Sequence, residues 1–208
     1  MKKIGIPMLV GIFMLFSMNI FAQAKLTSGD MKVLKGQSEV ILKYDYSNMG
    51  VGKYKNADDY ASAKVADMNK KKEGSGDAWL EKWKSDRTDR FEPSFRKDFN
   101  NEVDSYNLSG KDDSPKAKYT LIIRTTFMEP GFNATMAIGF AKKPAYIDVT
   151  VDLVETANPA TVLGTVEMKK IESKNMGGYD WDTGGRIESA YERAGEYFGK
   201  FLIRNVLK

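Results

Sequence analysis

An apolar run near the amino terminus constrains this 208-residue chain more than any other feature of its sequence. Residues 1–3 (MKK) include two lysines, residues 4–21 are almost wholly apolar, and residues 22–24 (AQA) have the small-residue spacing of a signal-peptidase site. The pattern predicts a cleaved signal peptide over residues 1–24. The mature chain, residues 25–208, is then expected to fold outside the cytoplasm.

An uncleaved membrane anchor is the alternative, because about 18 apolar residues lie at the lower limit for crossing a bilayer. Asn19 interrupts the run and a cleavage sequence follows it, which favours removal. A bacterial lipoprotein needs a cysteine at its new amino terminus, and the chain has no cysteine. We therefore expect a periplasmic or secreted protein that is not lipidated and has no stable membrane span after cleavage.

The charge of the mature chain gives no sign of a polyanionic partner. Removal of Lys2 and Lys3 reduces the 32 Lys and Arg residues to 30, against 28 Asp and Glu. The two signs are interleaved along the chain, as on an ordinary solvated surface. The length suits a single domain, residues 25–208, and we expect no nucleic-acid partner.

Alternating apolar residues predict four β-strands, over residues 40–46, 119–127, 147–153 and 162–170. A turn at residues 158–160 joins the last two, which should therefore pair as an antiparallel hairpin. The polar stretch 105–118 is predicted to be a loop.

Helical spacing predicts three helical regions. One spans residues 57–71 with Asn56 as its N-cap, a second is capped by Asp77 and broken at Pro93, and an amphipathic helix covers residues 186–208. The fold class is therefore α+β: a single antiparallel or mixed sheet covered by helices, with a long amphipathic C-terminal helix.

The second helical region carries an aromatic stripe. Trp79 and Trp83 share a face, and Phe91, Phe95 and Phe99 continue it at intervals of four. Such a stripe can stack on sugars, but this spacing is more typical of a helix face that packs on a sheet. We interpret it as core.

The segments YTLIIRTTF, AYIDVTVDLVETANPATVLGTVEMKK and IESAYERAGEYFGKFLIRN follow one another between residues 119 and 208. This succession of strand, hairpin and closing helix resembles small α+β domains of bacterial envelope proteins, such as the TolB amino-terminal domain and the LpoB-type activators of penicillin-binding proteins. The resemblance implies a non-catalytic part of an envelope assembly. It assigns no functional residue, because the matching positions are those that form a core.

The absence of histidine and cysteine from the sequence limits catalysis. It excludes Ser-His-Asp and Cys-His arrangements and the usual zinc sites. Two carboxylates across a cleft would still allow glycoside hydrolysis, with the pairs Asp148/Asp152 and Asp180/Asp182 as candidates. Acids on an outer strand face are more often solvated, so we expect no enzymatic activity and no cofactor.

Asp180 and Asp182 also allow a calcium site with the following backbone, although the spacing of an EF-hand is missing. A simpler interpretation is that an Asp or Thr before Gly184 caps the terminal helix. The exposed amides there could instead hold an anion, with Arg186 nearby. We expect no bound metal.

The loop over residues 175–185 has the most unusual composition, with four glycines around Tyr179 and Trp181. Aromatic residues on such a loop are typical of protein or sugar recognition, although Trp181 could instead pack into the core. We take Tyr179, Asp180, Trp181, Asp182 and Arg186 as candidate binding residues. The expected partner is an envelope protein, and the alternative is a glycan.

Cleavage at the predicted site is directly measurable. We expect the exported protein to begin at Lys25 and to have the mass of residues 25–208, because the sequence before Lys25 matches a signal-peptidase site. Intact-mass spectrometry of the exported protein tests this. Retention of the apolar run 4–21 in that protein would favour a membrane anchor instead.

Overall fold

The computed structural model describes residues 24–136, 139–174 and 182–208. The strands are β1 (Ala24–Gly29), β2 (Glu39–Asp45), β3 (Gly50–Val51), β4 (Ser109–Lys111), β5 (Tyr119–Glu129), β6 (Phe132–Met136), β7 (Gly139–Lys143), β8 (Tyr146–Glu155) and β9 (Asn158–Glu172). The α-helices are α1 (Ala57–Lys71), α2 (Ser75–Asp86), α3 (Glu92–Val103) and α4 (Thr183–Leu202). Single π-helical turns, Arg87–Phe91 and Ile203–Leu207, follow α2 and α4.

A seven-stranded mixed sheet forms the centre of the protein, in the order β1-β9-β8-β5-β2-β4, with β3 also pairing with β5. The strand β5 is parallel to β2 and antiparallel to β8, and β8 and β9 form the predicted antiparallel hairpin. The protein is therefore α+β with a single open sheet, as the sequence predicts. The strands β6 and β7 form a separate two-stranded sheet.

Helices α3 and α4 lie on one face of the sheet. The Thr125 hydroxyl of β5 is 2.5 Å from the Tyr191 hydroxyl of α4, and the rings of Tyr44 and Phe95 meet edge to face at 6.0 Å. The other face is polar: the Arg124 guanidinium contacts the carboxylates of Asp45 and Asp152. This one-sided covering explains the alternation of buried and half-exposed residues along β8.

The aromatic stripe is core, as predicted, except that Trp79 is only partly buried. Phe91, Phe95 and Phe99 are fully buried, and Trp83 is nearly so. Phe91 stacks on Tyr191 with their ring centres 5.1 Å apart. The three phenylalanines therefore pack between the sheet and α4.

Two glycines allow α3 and α4 to pack closely. A Cβ atom at Gly195 would overlap the carbonyl oxygen of Phe95, and one at Gly199 would lie 2.6 Å from the Cβ of Glu102. Real Cβ atoms do not approach other atoms so closely, so each position requires glycine. The backbone of α4 is in direct contact with α3 as a result.

Most predicted elements agree with the structure, but several boundaries were wrong. Asn56 caps α1 through the Asp59 amide, as predicted. Helix α2 instead begins at Ser75 after Gly74, so Asp77 lies in its first turn and does not cap it. The helical region divides at the π-turn just before Pro93, where a proline is tolerated in the first turn of α3.

The predicted loop 105–118 was wrong in part. Its residues Ser109–Lys111 form β4, which pairs in parallel with β2 at the edge of the sheet. The Asn100 side chain fixes this short strand by accepting from the Gly110 amide at 2.7 Å and donating to the Gly110 carbonyl at 3.1 Å. A strand of three residues is too short to show a periodic pattern in the sequence, and here a neighbouring helix holds it in place.

We predict that Gly195→Ala destabilises the protein by about 1–3 kcal/mol, because the added methyl group overlaps the backbone of α3. Gly185→Ala is the matched control: its Cβ would meet only the Asp182 side chain, at 3.6 Å. Urea denaturation followed by circular dichroism measures both. Equal stability of the two variants would contradict this account of the helix packing.

Candidate functional site

Three segments that extend beyond the sheet lie at one end of its strands, which we call the upper edge. Strands β2, β5 and β9 run in the same direction, so their last residues Asp45, Glu129 and Glu172 lie at this edge. The α1–α2 hairpin follows β3, which pairs with the end of β5. The β6–β7 hairpin, called the arm below, follows β5, and α4 starts after β9.

Four charged side chains surround the start of α4 at this edge. Asp182 is the N-cap, and its carboxylate accepts hydrogen bonds from the amides of Gly184 and Gly185. It also pairs with Arg90 at 2.5 Å and Lys82 at 3.3 Å. Asp86, which is 6% exposed, contacts the same two cations. The cluster thus links α2 and the π-turn to α4.

The pKa values of the two carboxylates in this cluster shift in opposite directions. Partial burial opposes ionisation of Asp182, but hydrogen bonds from Arg90 and Lys82 outweigh it and lower the pKa of Asp182 to about 2. Burial raises the pKa of Asp86, although Lys82 and Arg90 act against the rise. Asp182 therefore stays ionised at neutral pH, as a capping residue requires.

Arg186 connects the start of α4 to the base of the arm. Its side chain is 4% exposed and donates to the carbonyl oxygens of Pro130 and Gly131 and to the Thr183 hydroxyl, at 3.0–3.4 Å. A buried guanidinium is costly unless it is hydrogen-bonded, and these acceptors meet that need. The glycine-bearing turn after β5 and the start of α4 therefore lie side by side.

Glu129 fixes the base of the arm from the other side. Its carboxylate accepts from the Gly131 amide at 3.1 Å and pairs with Lys143 at 2.6 Å. The strand β6 begins directly after this turn, at Phe132. The Phe132 side chain is 48% exposed there.

An aromatic cluster lies at the base of the α1–α2 hairpin. Tyr60 contacts Tyr54, Trp79 and Trp83, with ring centres 5.3–5.9 Å apart, and the two tryptophans stack at 5.5 Å. Burial raises the pKa of Tyr60, and the charge of Glu129 adds to the rise. All of these rings except Trp83 remain partly exposed.

A buried group of hydroxyls lies beneath the π-turn. Tyr44 donates to the Glu92 carbonyl at 3.0 Å, and the Arg87 guanidinium lies 4.8 Å from the centre of the Tyr46 ring. Within the described ranges, the buried Tyr46 hydroxyl makes no hydrogen bond of ordinary geometry, but it lies close enough to the Glu92 carboxylate and the Tyr191 hydroxyl to lower their pKa values against the effect of burial, and burial raises its own pKa. Nothing at this position indicates a ligand.

The structure places the predicted site residues as follows. Asp182 is the helix cap, as the simpler interpretation held, and Arg186 is buried against the arm. Tyr179, Asp180 and Trp181 lie outside the described residues. A binding role for these five residues stays a prediction.

The alternative carboxylate pair lies on the open face of the sheet, away from the upper-edge cluster. The Asp152 carboxylate pairs with Arg124 at 2.9 Å and accepts from the Thr165 hydroxyl at 2.8 Å. Asp148 accepts from the Lys170 amide at 2.8 Å. Four residues along one strand separate their α-carbons by about 13 Å. Both carboxylates have structural partners.

Sequence reasoning missed the arm and the ion cluster. Pro130 and Gly131 are typical of a turn, so the sequence did not indicate the strand that follows them. Lys82, Asp86 and Arg90 share one helical face, which is also the pattern of a solvated surface. The only available signal was the repeated i,i+4 spacing of opposite charges.

Across the described residues, no helix is both long and apolar enough to cross a bilayer. In the same ranges, no three His, Cys, Asp or Glu side chains form a group that could hold a metal ion. The arrangement at the upper edge is therefore one of exposed aromatics, hydrogen-bonded charges and a projecting hairpin.

No family model matches the sequence, and no curated protein matches it. The structure is similar to a single-site variant of the PelC dodecamer from Paraburkholderia phytofirmans, at 11% identity and a TM-score of 0.37 over 85% of this chain and 95% of that one. Protein XCC0632 from Xanthomonas campestris has 9% identity and a TM-score of 0.29, over 81% and 84% of the two chains. A neuraminyllactose-binding hemagglutinin homologue from Helicobacter pylori has 10% identity and a TM-score of 0.29, over 84% and 89%. Likenesses this distant carry no inference about function.

We predict that Asp182→Ala lowers the free energy of unfolding at pH 7 by about 1–2 kcal/mol, because it removes the cap of α4 and two ion pairs. Asp182→Asn keeps a capping oxygen and should lose less. The folded-state pKa is below the ordinary 3.8, so the stabilisation by ionised Asp182 is complete above about pH 4 and is lost as the pH falls towards 2. Chemical denaturation at several pH values measures this.

Asp67→Ala serves as the control for that series, because it removes an exposed carboxylate that pairs with Lys71 on the surface of α1. Its effect on stability should be small. An Asp182→Ala variant as stable as the unaltered protein at pH 7 would show that the cap contributes nothing.

Proposed function

We propose that this chain is exported and acts as a non-enzymatic protein-binding or assembly component of the bacterial envelope or surface. The proposed binding surface is the upper edge. One observation carries the proposal: Arg186 joins the start of α4 to the base of the arm, and Asp182 joins it to Lys82 on α2, the helix that also carries Trp79 and Trp83. A rigidly supported surface that exposes aromatic rings is typical of protein recognition.

The carboxylate contacts support a non-enzymatic role. Asp152 and Asp182 each pair with cations and accept hydrogen bonds. Asp152 also lies far from Asp148 along β8. Glycoside hydrolysis requires carboxyl groups about 5–10 Å apart with one of them protonated at working pH. The lowered pKa of Asp182 is opposite to what a general acid needs.

The signal-like amino terminus supports the proposed location. It precedes Ala24, the first residue of β1, so cleavage before Lys25 would leave almost all of that edge strand in place. The resemblance of residues 119–208 to envelope domains points the same way.

Carbohydrate binding is the second candidate, and the aromatic cluster favours it. Tyr54, Tyr60 and Trp79 are partly exposed, and sugars stack on such rings. Trp79 already has one face covered by Trp83, however, and Lys53 lies over the Tyr54 ring at 5.4 Å. Two of the three rings therefore already have one face covered.

A cross-linking pull-down with residues 25–208 in envelope extract tests the proposal. We expect a defined partner that is lost or reduced at least about tenfold when Tyr179 and Trp181 are both changed to Ala, because aromatic anchors dominate such interfaces. Val162→Ala is the control, because Val162 is 47% exposed on the sheet and distant along β9 from the upper edge.

Equal recovery of the partner by the double variant and the unaltered chain would reject a loop-mediated protein interaction. Saturable binding on a glycan array, abolished by the same two substitutions, would favour the carbohydrate alternative. Circular dichroism of each variant establishes that the fold is retained in either case.

A further inference from the structure

We propose that two copies of this chain associate through the groove between α1 and α2. The groove has a volume of about 510 Å³, and Asp58 and Lys84 are among the residues that line it. None of its lining residues belongs to the aromatic cluster. The proposal therefore goes beyond the protein-binding surface proposed above and does not depend on it.

The middle of the groove consists of small and apolar side chains that are open to solvent. Ser62 and Ala66 are exposed, and Val65 and Leu80 are only partly buried. Both walls come from α1 and α2, and no other described element lines the groove. Small side chains on adjacent turns let another helix approach to about 8 Å. Val65 and Leu80 would then lose contact with water, which favours association.

Each helix of the hairpin changes the sign of its charge from one end to the other. At the base, where the hairpin joins the domain, Asp58 lies in the first turn of α1 and Lys84 in the last turn of α2. At the tip, Lys70 lies in the last turn of α1 and Asp77 in the first turn of α2. The Asn69 amide donates to the Asp77 carboxylate at 3.3 Å, so these two helix ends lie at the same level.

Three of these charges are available to a partner. Asp58, Lys70 and Lys84 form no ion pair with any other described residue. Their positions suit the dipoles of their own helices, and that interaction leaves the charged ends of the side chains in water. A second helix along the groove could therefore pair with them.

The charge pattern is complementary to itself. A two-fold axis perpendicular to the helices lays α1 antiparallel on α1 of the second copy, and α2 on α2. Asp58 of each copy then faces Lys70 of the other, and Asp77 faces Lys84. Asp58 and Lys70 are about 18 Å apart along α1, so the axis crosses the middle of the groove. A surface for an unrelated partner would not need to match itself, so the pattern favours a second copy.

The size of the hairpin predicts a weak dimer. Two helices about 20 Å long and about 10 Å wide present about 400 Å² in each copy. A standard interface buries roughly 800 Å² per partner. We therefore expect a dissociation constant on the order of 10–100 µM, with Val65 and Leu80 supplying the apolar contact and the charges setting the orientation.

Sedimentation velocity of the exported protein, from about 1 to about 500 µM, tests the proposal. We expect the average mass to rise from monomer towards dimer. Ala66→Glu should weaken association at least about tenfold, because it places a charged side chain in the middle of the groove. Ala78→Glu is the matched control, because Ala78 is an exposed alanine of α2 that does not line the groove.

An exchange of charges tests the orientation. Lys70→Asp should weaken association about threefold to tenfold, because it replaces two attractions in each dimer with two repulsions. The double variant Asp58→Lys with Lys70→Asp should recover most of that loss, since opposite charges face each other again. High salt should weaken association of the unaltered chain.

Three results would overturn the proposal. One is a monomer at every concentration, and another is an equal effect of Ala66→Glu and Ala78→Glu. The third is a double charge variant that is folded by circular dichroism but associates no better than Lys70→Asp. Failure of the pull-down described above would not affect these results, because it tests a different surface.

Discussion

The close approach of α3 and α4 at Gly195 and Gly199 sets the position of the elements above the sheet. With side chains at those two positions, α4 would have to move away from α3 or from the strands. Phe91 and Phe95 then could not fill the space between the helices and the sheet. Interiors are packed at crystal-like density, so a shift of one helix would propagate through this layer.

The same packing determines where α4 begins. Because α4 is fixed along its length by the aromatic layer, Asp182 comes within reach of Lys82 and Arg90 on the preceding helical segment. Arg186, one turn further on, reaches the turn that precedes the arm. Core packing therefore sets the positions of the segments at the upper edge. The charged contacts there add stability to that arrangement.

Much of the fold could be predicted because its larger elements carry strong periodic signals. The strands β5 and β8 alternate clearly, and the C-terminal helix has an apolar face over most of its length. The helix begins at Thr183, three residues before its predicted start, because its N-cap lies in a polar, glycine-rich sequence. Strand β4 and the arm were not predicted, because contacts with segments distant in the chain hold them in place and no local periodic pattern indicates them.

The candidate site was predictable only in part. Asp182 as a helix cap follows from local chemistry, since an Asp before glycines at the start of an amphipathic segment accepts the free amides. Its ion pairs with Lys82 and Arg90 join residues about a hundred positions apart, and the contact of Arg186 with Pro130 is of the same kind. No local pattern encodes such pairings.

The sequence by itself determined the α+β class, the antiparallel hairpin of β8 and β9, the burial of the phenylalanines in the aromatic stripe and the cap of α4. These depend on periodicity and on hydrogen bonds between residues close in the chain. Only the tertiary structure decided the strand order, the pairing of β4, the separate arm and the cluster that joins Asp182 to α2. Those features depend on which distant segments can pack together without overlap. That depends on contacts throughout the core and not on any one segment.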